Sequence, residues 1–232
     1  MEEQPQAIEE KTAIVEKKRK NSEQDQRIQN DITETAVMLQ NIESDSELKS
    51  ALNGAGIDDD ELDLGKAKQT ASQDGYNTRQ DSIGAEESAN NTLKVVWPII
   101  EAEAIDIREV LRARFSDSGN RRALGIVGNL PQDRQKTITV MRATYSECKK
   151  PEYQTILSKS GYGISAIDEY LGNLTTAENA ISAARKAVAD GKRATTLRNA
   201  AIKDLRQWVS MVKRIAKRAL RTRPDLLDKL GI

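Results

Sequence analysis

The 232-residue chain sets 36 Lys+Arg against 36 Asp+Glu, has no histidine and one cysteine, and is 31% charged but only 3% aromatic. Without histidine there is no Ser-His-Asp or Cys-His nucleophile pair, no imidazole base near neutral pH and no His-ligated metal or haem site. Leu, Ile, Val and Phe total 49 residues, about 21% of the chain, which is the edge of the range that supports a packed core.

Residues 1–22 read as a charged N-terminal extension. Its Lys17-Lys18-Arg19-Lys20 run is like a localisation patch in composition and is read as a solvated helix face. The first residues are acidic and lack the apolar stretch of a signal peptide, so secretion by that route is not expected. From there the apolar period is helical. Ile28, Ile32, Thr35, Leu39 and Ile42 step by 4, 3, 4 and 3, which predicts a first helix near 26–42, followed by a short one near 46–53. Asp58, with Glu61 three residues on, reads as an N-cap and capping-box pair starting a long helix. Gly84 is expected to turn that helix into an antiparallel partner. The partner carries the stripe Leu93, Trp97, Ile100, Ala104, Ile107 and Leu111, with a kink at Pro98. Gly125 suits a C-terminal cap, and residues 119–128 read as a linker.

A second series follows: a helix near 132–147, a short helix near 151–159, and another hairpin. Its first arm begins at Ser165 and carries Ile167, Leu171, Leu174, Ala177, Ile181, Ala184 and Val188. Its turn is at Asp190-Gly191, and its second arm carries Leu205, Trp208, Val212, Ile215 and Ala219. Gly56, Gly65 and Gly84 recur as Gly163, Gly172 and Gly191 at an offset of 107, and Leu124-Gly125-Ile126 recurs as Leu230-Gly231-Ile232. The expected fold is therefore all-α, with tandem-duplicated helical hairpins forming an elongated, coiled-coil-like bundle. Residues 23–126 form the first repeat and 127–232 the second. Trp97, Trp208, Gly56, Gly84, Gly163 and Gly191 are the expected structural anchors.

The zero net charge conceals an asymmetry. Residues 1–126 carry 16 basic and 26 acidic groups, and residues 127–232 carry 20 and 10, so the halves are −10 and +10. The acidic arm 58–83 has a thin stripe of Leu62, Leu64, Ala67, Ala71, Tyr76 and Ile83. It needs a covering surface, and the basic helix 205–221 is the candidate: supplied by the same chain it gives a closed, salt-insensitive monomer, and supplied by a neighbouring chain, the favoured expectation, it gives an oligomer that loosens as salt rises.

No catalytic, metal or cofactor site is expected. The acidic run Asp58–Asp63 lacks the ligand spacing of a calcium loop and suits the first turn of a helix. The glycine-rich stretch 119–128 lacks the Gly-Lys-Ser/Thr ending of a phosphate loop. Cys148, beside Lys149 and Lys150, is a conceivable reactive thiol without a partner base. Lys213, Arg214, Lys217, Arg218 and Arg221 form the candidate binding face, since their i, i+4 spacing lines them along one side of the last helix. The leading expectation is a non-catalytic interaction and assembly module, forming a homo-oligomer through its acidic and basic halves. Nucleic-acid or anionic-lipid binding through the basic helix is the alternative. The lone thiol and the lack of an 18-residue apolar run lead to the expectation of a soluble, cytoplasmic protein with no membrane span.

Overall fold

The computed structural model describes the backbone from Pro5 to Ile232 and the side chains from Glu23 onward, so the Lys17–Lys20 run lies outside the described side chains. Among the described residues all regular structure is helical: α1 (Pro5–Ser44), α2 (Ser46–Asn53), α3 (Asp59–Arg114), α4 (Ser118–Ala123), α5 (Arg134–Cys148), α6 (Pro151–Leu157), α7 (Ile164–Ala219) and α8 (Pro224–Lys229). A short 3₁₀ turn, Ser158–Ser160, follows α6. No helix among them is long and apolar enough to cross a membrane.

The local signals that begin and end these helices are mostly those written in the sequence. Asp45 caps α2 by accepting from the Glu47 and Leu48 amides, and Asp58 Oδ1 accepts from the Glu61 amide at 3.0 Å. Each satisfies amides the helix itself leaves unpaired, an effect worth about 1 kcal/mol. Ser165 does not cap α7, because that helix starts one residue earlier, at Ile164. Gly56 (φ 91°) and Gly161 (φ 86°) take the left-handed conformation that lets Ile57 N donate to Leu52 O and Tyr162 N to Leu157 O, both at 3.0 Å. The same closure recurs after the two six-residue helices. Gly125 and Gly231 have φ of 64° and 67°, and Ile126 and Ile232 donate back to Arg121 and Leu227.

The expected hairpins do not form. Gly84 lies inside α3 and Gly191 inside α7, each of which is one helix of 56 residues. The physical reason is visible in α7. The buried stripe continues through Ala187, Gly191, Ala194 and Arg198 in steps of 4, 3 and 4, whereas Val188 is 40% exposed. A glycine lowers helix propensity by about 1 kcal/mol and does not end a helix whose buried face runs on beyond it. Pro98 is likewise inside α3, where it removes one backbone bond without ending the helix.

Two compact units result, and each draws on both halves of the sequence. The first comprises residues up to Ser82 together with Asp190–Ile232, and the second comprises Ile83–Ala189. The first unit thus contains α1, α2, residues 59–82 of α3, residues 190–219 of α7, and α8. The second contains residues 83–114 of α3, α4, α5, α6 and residues 164–189 of α7. Residues 119–128 lie within the second unit and are not a linker. Arg108 donates to the Gly125 and Gly128 carbonyls at 2.9 and 2.8 Å, and Arg112 Nε to Ile126 O at 3.2 Å.

Within the first unit, α3 and α7 run antiparallel. A Cβ on Gly75 would meet the Arg198 backbone at 3.1 Å, and one on Gly65 would lie 2.3 Å from the Trp208 ring. The core contains Leu39, Ile42, Leu48, Leu52, Leu62, Trp208, Val212 and Leu220, with a separate cluster of Ile28, Ile32, Ile202 and Leu205. The second unit has one continuous core, including Trp97, Ile100, Ile107, Leu111, Phe115, Tyr145, Cys148, Tyr153, Ile167 and Leu174.

Burial along the two long helices recurs at an offset of 105 residues, not 107. Leu62 and Ile167 are both buried, as are Ala89 and Ala194, Leu93 and Arg198, Trp97 and Ile202, Ile100 and Leu205, and Leu111 and Ala216. At that offset Gly56 corresponds to Gly161, and Gly163 to Asp58. Trp97 and Trp208 do not correspond, although both are buried.

Candidate functional site

The basic face lies in the first unit, on the C-terminal part of α7, except that the helix ends at Ala219 and Arg221 falls in the turn that follows it. Val212 and Ala216 are buried against the core, which turns Lys213 partly and Arg214, Lys217, Arg218 and Arg221 fully toward solvent. The Arg214 Nε hydrogen bonds to the Ser210 carbonyl one turn back, at 3.3 Å. None of these five cations forms an ion pair among the described residues, and neither does Lys203 further up the same helix. Six other cations of this unit are paired, Lys49 with Asp59 (2.6 Å), Arg198 with Asp25 (2.6 Å), Arg206 with Asp31 (2.8 Å), Lys66 with Glu43, Arg223 with Glu47, and Lys229 with Asp45, while Arg27, Lys68, Arg79, Lys192 and Arg193 form no ion pair among the described residues.

This pairing changes the meaning of the charge asymmetry. The halves of the sequence are −10 and +10, yet the first unit holds 22 basic and 23 acidic residues and the second 14 and 13. The acidic segment 59–82 packs against α7 of its own chain. Trp208 Nε1 donates to Glu61 Oε1 at 2.7 Å, and Leu62 is buried beside it. The buried positions of this segment are Leu62, Gly65 and Ser72. Leu64 is 45% exposed, and Ala67 and Ala71 also face outward, so the expected stripe is rotated.

Between α1 and α7 of this unit runs a groove made of two adjoining clefts of about 1020 and 890 Å³, which share Arg206, Ser210 and Arg214. Lys213, Arg214 and Lys217 stand along it, whereas Arg218 and Arg221 lie outside its lining. Arg27 and Lys203 add positive charge, and Val37, Met38 and Val209 contribute apolar surface. Glu23, Glu34 and Asp228 also line it, so the wall is not uniformly basic. The sequence signal for Lys203 was present, since Lys203, Ser210, Arg214, Lys217 and Arg221 share one helical side. Arg27, Val37 and Met38 come from α1, and no local pattern ties them to α7.

The anchors behave unequally. Trp208 is 4% exposed and its ring lies against the bare backbone of Gly65. Trp97 is 7% exposed, donates Nε1 to Glu101 at 2.6 Å, and carries the Arg134 guanidinium 5.1 Å above its ring. Gly56 closes α2. Gly163 precedes α7 with open space around it, Gly84 sits at an open position inside α3, and Gly191 is buried against Arg79 and Ser82.

Cys148 is fully buried in the second core, and desolvation pushes its thiol up to about 12, so the nearby lysines do not activate it. Lys149 and Lys150 are instead paired with Asp168 and Glu147. A polar cluster lies in the same core. Glu103 Oε1 accepts from Asn173 at 2.7 Å, while Glu103 Oε2 and the hydroxyl of the fully buried Tyr145 have no hydrogen-bond partner among the described residues. Burial raises the pKa of both groups. Among the described residues no group of three or more His, Cys, Asp or Glu is placed to hold a metal ion.

No family model matches the chain, and no curated protein or solved structure is significantly similar to it.

Proposed function

We propose that this chain is a non-catalytic helical interaction module that assembles with further copies through the basic side of α7. One observation carries the reading. Lys203, Lys213, Arg214, Lys217 and Arg218 stand on the C-terminal part of α7, with Arg221 just past its end, without an ion pair among the described residues, whereas Lys49, Lys66, Arg198, Arg206, Arg223 and Lys229 of the same unit are each paired with a carboxylate. Cations packed this closely repel each other, and an acidic surface relieves the repulsion. Tandem duplication is part of the proposal. It is supported by the repeated order of a helix, a short helix, a 56-residue helix and a six-residue helix, and by burial recurring at an offset of 105. The lone buried thiol suits a cytoplasmic setting.

Phosphate binding is the second reading, favoured by the same line of cations. It is weakened by Glu34 and Asp228 in the groove wall, which would repel a phosphate backbone. Mass by light scattering across protein and salt concentration, with a gel-shift salt series on duplex DNA, decides between the two. The assembly reading expects a concentration-dependent mass and no retained DNA. A monomer that retards DNA with a steep salt dependence would establish the phosphate reading.

A further inference from the structure

The outer face of α3 in the second unit has the properties that the groove of the first unit lacks. Val95, Ile99, Ala102, Asp106 and Glu109 follow one another at spacings of 4, 3, 4 and 3 and are all exposed, with Ile105 beside them. Val95 is 70% exposed, Ile99 46% and Ile105 53%, so the apolar part is open to solvent. Single exposed apolar residues are ordinary, but three along one helical face that ends in carboxylates form a ridge. Asp106 and Glu109 make no hydrogen bond or ion pair among the described residues. The cation within 95–109, Arg108, is 3% exposed and donates to the Gly125 and Gly128 carbonyls, so it does not offset the carboxylates at the surface.

We infer that the α3 ridge of one copy, Val95 to Glu109, docks in the α1–α7 groove of a second copy. The apolar end of the ridge meets Val37 and Val209, and Asp106 and Glu109 meet Arg214 and Lys217. Charge complementarity selects the occupant. The groove carries unmatched positive charge over apolar surface, and the ridge carries unmatched negative charge beside apolar side chains, the pairing of an amphipathic helix with its groove. A bare phosphate backbone would leave Val37, half exposed, uncovered and would face Glu34 and Asp228. Ridge and groove are different surfaces, so the contact is head-to-tail: every copy offers one of each, and the assembly grows into a ring or a filament.

This inference rests on the assembly reading, and mixing two variants separates their failures. Arg214→Glu with Lys217→Glu reverses the two groove cations that meet the ridge, and Ile99→Lys with Ile105→Lys spoils the ridge. All four positions are exposed, and circular dichroism checks that each variant remains folded. The wild-type chain should grow in mass with concentration and dissociate between about 0.05 and 0.5 M salt, as the Debye length falls from about 14 to about 4 Å. Each variant alone should be monomeric. Mixed in equal amounts they should give a dimer and nothing larger, because one intact ridge and one intact groove remain. If the folded variants stay monomeric when mixed, or if the ridge variant alone keeps the wild-type mass, this contact is wrong while assembly through the basic side of α7 stands; a groove variant that alone keeps the wild-type mass overturns both. A wild-type chain that is monomeric throughout, whether or not it retains duplex DNA, overturns both the contact and the assembly reading.

Discussion

Where the second unit buries Leu93, the first buries Arg198, at positions 105 residues apart on the two long helices. That exchange stands for a wider contrast. The second unit is filled by one apolar cluster with edge-to-face rings, Phe115 against Tyr153 at 5.3 Å. The first splits its apolar residues into two clusters. Beyond them lie the Arg198–Asp25 pair, the unpartnered hydroxyl of Ser72, and two glycines that bring α3 against α7. Similar runs of helices are thus held by area burial in one unit and by close backbone approach with ion pairs in the other. A segment as polar as 65–82 has few apolar atoms to bury, so glycine contact and charge matching supply what area cannot.

The largest effect expected from this contrast is at Trp208. Trp208→Ala should cost about 3–5 kcal/mol, because it opens a cavity in the smaller core and strips Glu61 of its donor. A denaturant midpoint within error of wild type would mean that the first unit does not depend on this indole. The ion pair comes next. Asp25→Ala leaves a guanidinium that is only 6% exposed without its carboxylate, at a cost of about 2 kcal/mol. Adding Arg198→Leu, which copies Leu93, should recover most of that loss, and a double-mutant cycle measures the recovery. Additive losses would show that the first unit cannot adopt the second unit's apolar solution.

Two glycines sharpen the comparison further. Gly65→Ala should destabilise by about 1–3 kcal/mol, since its Cβ would lie 2.3 Å from the Trp208 ring. Gly172→Ala, where the space is open, should stabilise by about 0.5–1 kcal/mol through helix propensity. Melting temperatures that move in the same direction would contradict the close approach. The smallest effect is at Glu103, where desolvation first and Glu169 last raise the carboxyl pKa, against the Asn173 hydrogen bond. Asp106, Tyr145 and Tyr170 also act within this cluster. A carboxyl whose folded pKa is raised binds its proton more tightly when folded, so its stability is present at low pH and lost as pH rises through the folded value. Glu103→Gln should therefore raise the melting temperature at pH 7. The gain should shrink as pH falls toward the ordinary carboxyl value of 4.5, where Glu103 itself is neutral. A gain independent of pH would point to packing instead.

Helix class, the short helices after α1 and α5, the Asp58 cap, the repeated Leu-Gly-Ile closure and the burial of both tryptophans were legible because each rests on local chemistry. The turns at Gly84 and Gly191 were misread. A lone glycine looks the same in a turn and beneath a packed neighbour, and what distinguishes them lies far away in sequence: Arg79 against Gly191, and Trp208 against Gly65. The matching of the basic and acidic halves followed from charge arithmetic, but the source of the cover did not. That Lys213, Arg214 and Lys217 share one side of a helix follows from their spacing. Their groove does not, because its other wall comes from α1, more than 160 residues away in sequence.

Each compact unit is built from both halves of the sequence. The direct measurement is to produce residues 1–126 and 127–232 as separate chains and to follow helicity and mass alone and mixed. Each half carries part of both cores, so neither should melt cooperatively as a monomer. Their mixture should give a 1:1 complex with a single cooperative transition. Cooperative melting of the isolated 127–232 chain as a monomer would contradict the account and restore the hairpin domain that the sequence first suggested.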